Sequence, residues 1–194
     1  MNILERAARL RTEADQVMEL IGLAGILHPY GEITFSGSYF LDVMVYPDID
    51  LYIPKITLEE VFKIGARLAA SPLVTQVVFE KSNDPTLPNG LYIKPRIQYG
   101  DWDRPWKIDI WSLSEEVIKG KRQEMLSFQR KMTPSLREQI LRYKFSLLNA
   151  AHRTPQFSGY FTYKAFLEEG LTDFEQVTQY LLKNGIILED TAGN

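Results

Sequence analysis

Three aspartates occupy positions from which their side chains could hold a metal ion together. Asp48 and Asp50 stand two residues apart within the run 47–51, which reads PDIDL. Residues i and i+2 of a β-strand project from the same face, so this spacing lets two carboxylates bind one or two divalent cations between them. Asp109 has the same apolar–acid–apolar setting within 108–110 and would supply a third ligand if its strand lay beside the first.

Three carboxylates gathered in this way favour a bound cation. At a separation of ~4 Å and an effective dielectric near 20, each pair of carboxylates repels by ~4 kcal/mol. The arrangement is costly without a cation, whereas Mg²⁺ is a hard ion that prefers oxygen ligands. We therefore interpret Asp48, Asp50 and Asp109 as a divalent-metal site, against the competing interpretation that they are solvated surface charges.

A candidate phosphate-binding turn precedes the paired aspartates. Gly37 and Ser38 follow the β-rich run 33–36. Glycine lets a phosphate approach the backbone closely, and a serine hydroxyl together with the free N–H groups of a following helical turn can bind it. The competing interpretation is an ordinary turn without a ligand.

The elements that must position these residues predict an α+β half of the chain. Apolar residues that recur every three or four positions predict a first helix from residue 3 to about residues 25–28. Thr57 and Glu60 form a capping-box pattern that opens a helix to about residue 70. Runs that are typical of β-strands lie at 33–36, 49–53, 73–80, 91–98 and 106–111.

Helical periodicity dominates the remainder of the chain. Ser112 with Glu115 is a second capping-box candidate. The change of pattern puts a domain boundary near residue 113, which predicts an α+β domain over 1–113 and a helical domain over 114–194. Helices are predicted at 114–130, 134–151, 160–169 and 172–184.

The phosphate turn and the three acids together resemble the nucleotidyltransferase superfamily related to DNA polymerase beta, in particular its small bacterial-type members. The matching runs are FSGS at 35–38, PDIDL at 47–51 and IDI at 108–110, and the resemblance covers about residues 30–112. Many members place a basic residue soon after the serine, whereas the run 39–41 is Tyr-Phe-Leu in this chain.

The resemblance implies a nucleotidyltransferase-like mixed sheet with flanking helices, a following helical domain and a substrate cleft between them. It implies that Asp48, Asp50 and Asp109 are the catalytic metal ligands for Mg²⁺ or Mn²⁺, and that Gly37 and Ser38 hold the terminal phosphates of an NTP. The implied reaction moves a nucleoside monophosphate from the NTP to an acceptor hydroxyl. The alternative is a catalytically inactive relative that binds a nucleotide or a protein partner.

Composition bears on the acceptor and the compartment. The formal net charge is −3 and no basic-aromatic stripe is evident, so a small molecule or a protein is predicted as acceptor in preference to long RNA. The chain has no cysteine, which fits a reducing compartment and excludes a thiolate nucleophile. No apolar run of about 18 residues is present. A cytoplasmic protein without a membrane partner is therefore expected.

Two pairs of basic residues have two interpretations each. Lys94 and Arg96 alternate on one face of a predicted strand, and Arg137 and Lys144 stand seven residues apart on a predicted helix. Either pair would serve as a phosphate contact or as a solvated basic stripe.

Overall fold

A mixed five-stranded sheet organises the structure, which is a computed structural model describing residues 1–188. The strands lie in the order β1-β2-β5-β4-β3. The neighbours β2 and β5 are parallel, and the other neighbouring pairs are antiparallel. The predicted α+β class is confirmed. The strands are β1 (Thr34–Ser36), β2 (Asp48–Pro54), β3 (Val74–Lys81), β4 (Leu91–Ile97) and β5 (Trp106–Leu113).

Four helices belong to the N-terminal half. α1 begins at a complete capping box formed by Asn2 and Glu5. It ends earlier than predicted because Gly22 adopts a left-handed conformation with φ of 65°, and a short helix and a 3₁₀ turn at His28–Tyr30 follow. The predicted capping box at Thr57 and Glu60 is present. The helices are α1 (Ile3–Leu20), α2 (Leu23–Leu27), α3 (Gly37–Phe40) and α4 (Leu58–Ala69).

The start of the first C-terminal helix corrects one prediction. Ser112 does not cap this helix, because β5 continues through Leu113 by pairing with β2. Ser114 is the cap, and its side chain accepts a hydrogen bond from the backbone N–H of Val117. The Ser112 hydroxyl accepts instead from the backbone N–H of Ile56 at 2.9 Å. The helices that follow β5 within residues 1–188 are α5 (Glu115–Lys131), α6 (Pro134–Ser146), α7 (Ser158–Leu167) and α8 (Phe174–Lys183).

The second of these helices is shorter than predicted. α6 ends at Ser146, and the chain is irregular up to α7. The Asn149 side chain accepts hydrogen bonds from the backbone N–H groups of Ala151 and Arg153. Such local bonds compete with helical ones, and His152 follows with a positive φ of 51°.

Apolar side chains form two clusters that meet at the segment before β2. One cluster lies between the sheet and the helices α1, α2 and α4, and the other joins α5–α8. Leu41, Val43 and Val45 belong to the helical cluster, whereas Met44 belongs to the sheet cluster. The segment 41–45 therefore attaches the helices to the sheet immediately before the paired aspartates.

The predicted division near residue 113 stays a prediction, and residues 189–194 of the predicted helical domain lie outside the described residues. Within residues 1–188, no helix combines the length and the apolar character that crossing a membrane requires.

Candidate metal and nucleotide site

The parallel pair of strands brings the three predicted acids together. In the register of β2 and β5, Asp50 lies opposite Asp109, and Asp48 lies opposite Lys107. One carboxylate oxygen from each aspartate lies within 4.8 Å of the others. Asp48 is buried, and the other two aspartates are partly buried. Adjacent parallel strands thus place three acids that are distant in sequence at one position on the sheet.

Lys107 joins the cluster as an internal cation. Its Nζ lies 2.7 Å from Asp109 Oδ2, to which it donates a hydrogen bond, and 3.1 Å from Asp48 Oδ1. The sequence interpretation missed this residue. The signal was present, because a lysine two residues before Asp109 on a strand must share its face. One ammonium opposes three carboxylates, so the cluster keeps an excess of negative charge.

The pKa values of these groups show that Lys107 neutralises the three aspartates only in part. Burial raises the pKa of Asp48, although Lys107 opposes this shift. Burial, and then repulsion by Asp48 and Asp109, raises the pKa of Asp50 well above its usual range. Burial opposes the ammonium of Lys107, but attraction by the aspartates is stronger and raises its pKa, so this lysine stays protonated.

Asp109 is held by groups on both of its oxygens. Tyr92 on β4 donates its hydroxyl to Asp109 Oδ1 at 2.5 Å, while Lys107 donates to Oδ2. Burial and the charge of Asp109 both raise the pKa of Tyr92, so the phenol keeps its proton. The Tyr92 ring stacks on Trp111 with 4.4 Å between centroids. These contacts fix the orientation of the third acid.

The Gly37–Ser38 turn lies directly beside Asp50. Ser36 pairs with Asp50 across β1 and β2, and Gly37 begins α3 with a positive φ of 59°. A Cβ at residue 37 would lie 2.3 Å from Asp50 Oδ2. The positive φ favours glycine, and a Cβ would force the Asp50 carboxylate to move, so the close approach of the turn to the acids depends on this residue.

The donor set fits a hard divalent cation. All three groups are carboxylates, which Mg²⁺ and Mn²⁺ accept as ligands. Asp48 Oδ1 is buried and has no hydrogen-bond donor within residues 1–188, since its contact with Lys107 is an ion pair without hydrogen-bond geometry. Such an unsatisfied buried oxygen is costly in a protein interior and is available as a ligand.

The basic residues of α6 hold the segment before β2. Lys144 is buried, and its Nζ donates to the Val43 carbonyl at 2.7 Å and to the Tyr163 hydroxyl at 3.0 Å. Burial lowers the pKa of Lys144 to about 8, although the negative charges of the aspartates partly oppose this shift. Arg137 donates to the Asp42 carbonyl and forms an ion pair with the Asp42 side chain. The interpretation of a solvated stripe is wrong for Lys144.

A separate apolar cavity lies away from the acids. It has a volume of about 810 Å³, and its lining includes Met18, Phe35 and Tyr39. Phe35 alternates with Ser36 along β1, so it projects from the opposite face to the residue that pairs with Asp50. The acid cluster and this cavity are therefore distinct features of the molecule.

No protein-family model matches this sequence, and no curated protein sequence matches it. Among solved structures, the chain is similar to Cid1 poly(U) polymerase, with 12% identity, a TM-score of 0.47, and coverage of 72% of this chain and 43% of that chain. It is similar to JHP933 from Helicobacter pylori, with 13% identity, a TM-score of 0.37, and 88% of each chain covered.

The chain is also similar to terminal uridylyl transferase 4 from Trypanosoma brucei, with 13% identity, a TM-score of 0.37, and coverage of 96% of this chain and 56% of that chain. The chain thus spans less than half the length of the Cid1 polymerase and little more than half that of the trypanosome enzyme. These likenesses concern the fold alone.

Proposed function

We propose that this chain is a divalent-metal-dependent nucleotidyltransferase, which moves a nucleoside monophosphate from an NTP to an acceptor hydroxyl. The observation that carries the proposal is the convergence of Asp48, Asp50 and Asp109 within 4.8 Å, beside Gly37, where a Cβ would collide with the Asp50 carboxylate. We place the protein in the cytoplasm, which the lack of cysteine supports.

The three aspartates would hold Mg²⁺ or Mn²⁺. When bound, the metal supplies the positive charge that neutralises the phosphates and lowers the pKa of the acceptor hydroxyl. Lys107 contributes a further fixed positive charge at the same place. The positive charges that stabilise a phosphoryl transition state would therefore lie together beside the paired strands β2 and β5.

The remaining roles belong to groups of the protein. The hydroxyl of Ser38 and the backbone N–H groups of the turn bind the terminal phosphates of the NTP. Asp109 accepts the proton of the acceptor hydroxyl while the oxygen of that hydroxyl forms a bond to the α-phosphorus of the NTP. The bond between the α-phosphorus and the oxygen that links it to the β-phosphorus breaks, and pyrophosphate leaves. We place the substrate cleft between the domains 1–113 and 114–194.

A second candidate is an inactive relative that binds a nucleotide or a protein partner. The specific observation that favours it is Lys107, which already bridges Asp48 and Asp109. A protein that had replaced its metal by an internal ammonium would keep these contacts. Such a protein would bind its nucleotide equally well with EDTA and with Mg²⁺.

A transfer assay separates the two candidates. The protein is incubated with each of the four α-³²P-labelled NTPs, with Mg²⁺ or Mn²⁺, and with pools of small-molecule, protein and oligonucleotide acceptors. Label should move to one pool, and Asp109→Asn should abolish the transfer while Glu116→Gln, which removes an exposed carboxylate on α5, leaves it unchanged. Nucleotide binding without any transfer, and without metal dependence, would support the inactive candidate.

A further inference from the structure

A row of basic side chains continues the acid cluster along the same face of the sheet. Tyr92, Lys94 and Arg96 alternate on β4, and the contact of the Tyr92 hydroxyl with Asp109 shows which face they share. Arg96 lies opposite Lys107 in the antiparallel pairing of β4 with β5. The basic row therefore runs along β4 beside Asp109 on the neighbouring strand β5.

The loop before β5 adds a further guanidinium to this row. Arg104 lies over the Tyr46 ring at 4.9 Å, and its Nη1 donates to the His152 carbonyl at 3.3 Å. Its Nε is buried and has no acceptor within residues 1–188. Burial lowers the pKa of Arg104, Asp48 raises it, and the positive charges of Arg96 and Arg153 lower it further. Arg104 is thus close enough to Asp48, Arg96 and Arg153 for their charges to affect its pKa.

The four cations at this place have no carboxylate partner in direct contact among the described residues. Within residues 1–188, none of Lys94, Arg96, Arg104 and Arg153 forms an ion pair with an acidic side chain. In contrast, Arg137 pairs with Asp42 at 2.9 Å. Asp48 attracts Arg104 from nearby but does not pair with it, and the adjoining like charges repel one another, so an anion at this place would be stabilised. We name these four residues the cationic patch.

The patch and the Gly37–Ser38 turn lie on opposite sides of the acids. The strand order puts β1, which leads into the turn, on one side of β2 and β5, and β4 on the other. An NTP bound at the turn would therefore have its α-phosphorus near the acids, and a second anionic molecule would fit on the β4 side. The net charge of −3 conceals this local excess of positive charge.

We infer that the cationic patch binds a phosphate group of the acceptor, so the acceptor is a phosphate-bearing molecule whose hydroxyl lies next to that phosphate. The inference rests on the proposed function, because it names the substrate class of the same site. A nucleoside monophosphate and the 3′ end of an oligonucleotide share this chemistry. A cationic or neutral acceptor, such as an aminoglycoside or a free nucleoside, lacks it.

Binding in the absence of metal tests the inference without any turnover. With EDTA present, we would measure the binding of AMP, of adenosine and of a fluorescent ten-nucleotide RNA with a free 3′ end. AMP or the RNA should bind at low salt and adenosine should not, and the tighter of the two anions identifies the source of the phosphate. Equal binding of adenosine and AMP, with no binding of the RNA, would overturn the inference.

The variant Arg96→Gln/Arg153→Gln removes two charges whose side chains donate no hydrogen bond within the described residues, so the fold should persist. It should weaken the binding of the phosphate ligand by about tenfold or more, because contacts to charged groups are strong. The exposed Lys119→Gln/Arg130→Gln pair on α5 is the charge-matched control and should change binding less than twofold. Equal weakening by both pairs would mean a non-specific charge effect and would contradict the inference.

The same variant also separates this inference from the proposed function. NTP binding with Mg²⁺ should stay within about twofold of wild type, since the turn and the acids are intact. If wild type and variant both transferred a nucleotide at the same rate to an acceptor without phosphate, that result would refute the role of the cationic patch and support the proposed function. Loss of phosphate-ligand binding by the variant, in a protein that transfers nothing, would support the patch and refute the proposed function.

Discussion

Two lysines, the partly buried Lys107 on strand β5 and the buried Lys144 on helix α6, lie near the same acids but have pKa values shifted in opposite directions. Lys107 contacts two carboxylates, at 2.7 and 3.1 Å, and its pKa is raised. Lys144 is only 3% exposed and contacts a carbonyl and a phenol, and burial lowers its pKa to about 8. Contact with carboxylates thus outweighs the effect of burial on the pKa of Lys107, whereas the neutral acceptors around Lys144 do not.

The two lysines also have different roles in the site. Lys107 offsets charge within the acid cluster, so it acts on the site directly. Lys144 holds the Val43 carbonyl and thereby the segment that leads into β2, so it acts on the position of Asp48 and Asp50. A charge held by neutral hydrogen-bond acceptors is the less stable of the two arrangements.

The largest effect should come from removing the ion-paired lysine. Lys107→Met leaves Asp48 and Asp109 without their cation, so the free energy of unfolding in EDTA should fall by about 3 kcal/mol. Urea denaturation measures this. Adding Mg²⁺ should stabilise the variant more than wild type, because the metal takes the place of the lost charge.

Lys119→Met, which removes an exposed lysine on α5, is the control and should leave the unfolding free energy within about 0.5 kcal/mol of wild type. The double variant Lys107→Met/Asp109→Asn should recover part of the loss. A Lys107→Met protein as stable as wild type in EDTA would show that the ion pairs contribute nothing, and the contrast with Lys144 would disappear.

A smaller effect should appear in the pH dependence of stability. Lys144 has a pKa of about 8 when folded and about 10.4 when unfolded, so between these values the unfolded chain binds the additional proton. Stability therefore rises with pH in this window, by about 2 kcal/mol from pH 8 to pH 10. Denaturation of wild type and Lys144→Met at several pH values measures the difference.

The slope of unfolding free energy against pH is compared between wild type and Lys144→Met. The difference in slope isolates the titration of Lys144, because tyrosine ionisation affects both proteins alike. The lost hydrogen bonds to Val43 and Tyr163 lower the stability of Lys144→Met at every pH but do not create a slope. Parallel profiles for the two proteins would mean that Lys144 keeps an ordinary pKa, and burial would then not distinguish the two lysines.

The smallest effect should distinguish the paired aspartates themselves. Asp48 contacts Lys107, whereas Asp50 forms no ion pair within residues 1–188. Asp50→Asn should therefore raise the metal-free stability at pH 7 by about 1 kcal/mol, after allowance for solvent screening, because it removes uncompensated repulsion. Asp48→Asn should give no such gain, because it removes a partner of Lys107. Melting temperatures in EDTA measure both.

The gain from Asp50→Asn should also depend on pH with a defined sign. A carboxyl whose folded pKa is raised stabilises the folded state at low pH and loses this contribution as the pH rises through that pKa. The variant should thus match wild type near pH 4 and exceed it at pH 7. The same gain at both pH values would argue that a packing change, rather than charge repulsion, is responsible.

Several features of the site could be predicted from local spacing. The period of two along a strand placed Asp48 and Asp50 on one face, and the pattern around Asp109 suggested its strand. The capping box at Thr57 and Glu60 was correct because its bonds lie within four residues. Ser112 was assigned wrongly for the converse reason, since pairing with β2 extends β5 through the position where local sequence favours a cap.

The sequence by itself determined the strand periodicity and the paired acids, because each depends on neighbours close in the chain. Only the tertiary structure decided that β2 and β5 are adjacent and parallel, which brings Asp109 and Lys107 to the paired acids. It also decided the opposite responses of the two lysines. Their charges depend on the desolvation and Coulomb energies of groups distant in sequence, which a residue's type and local spacing do not specify.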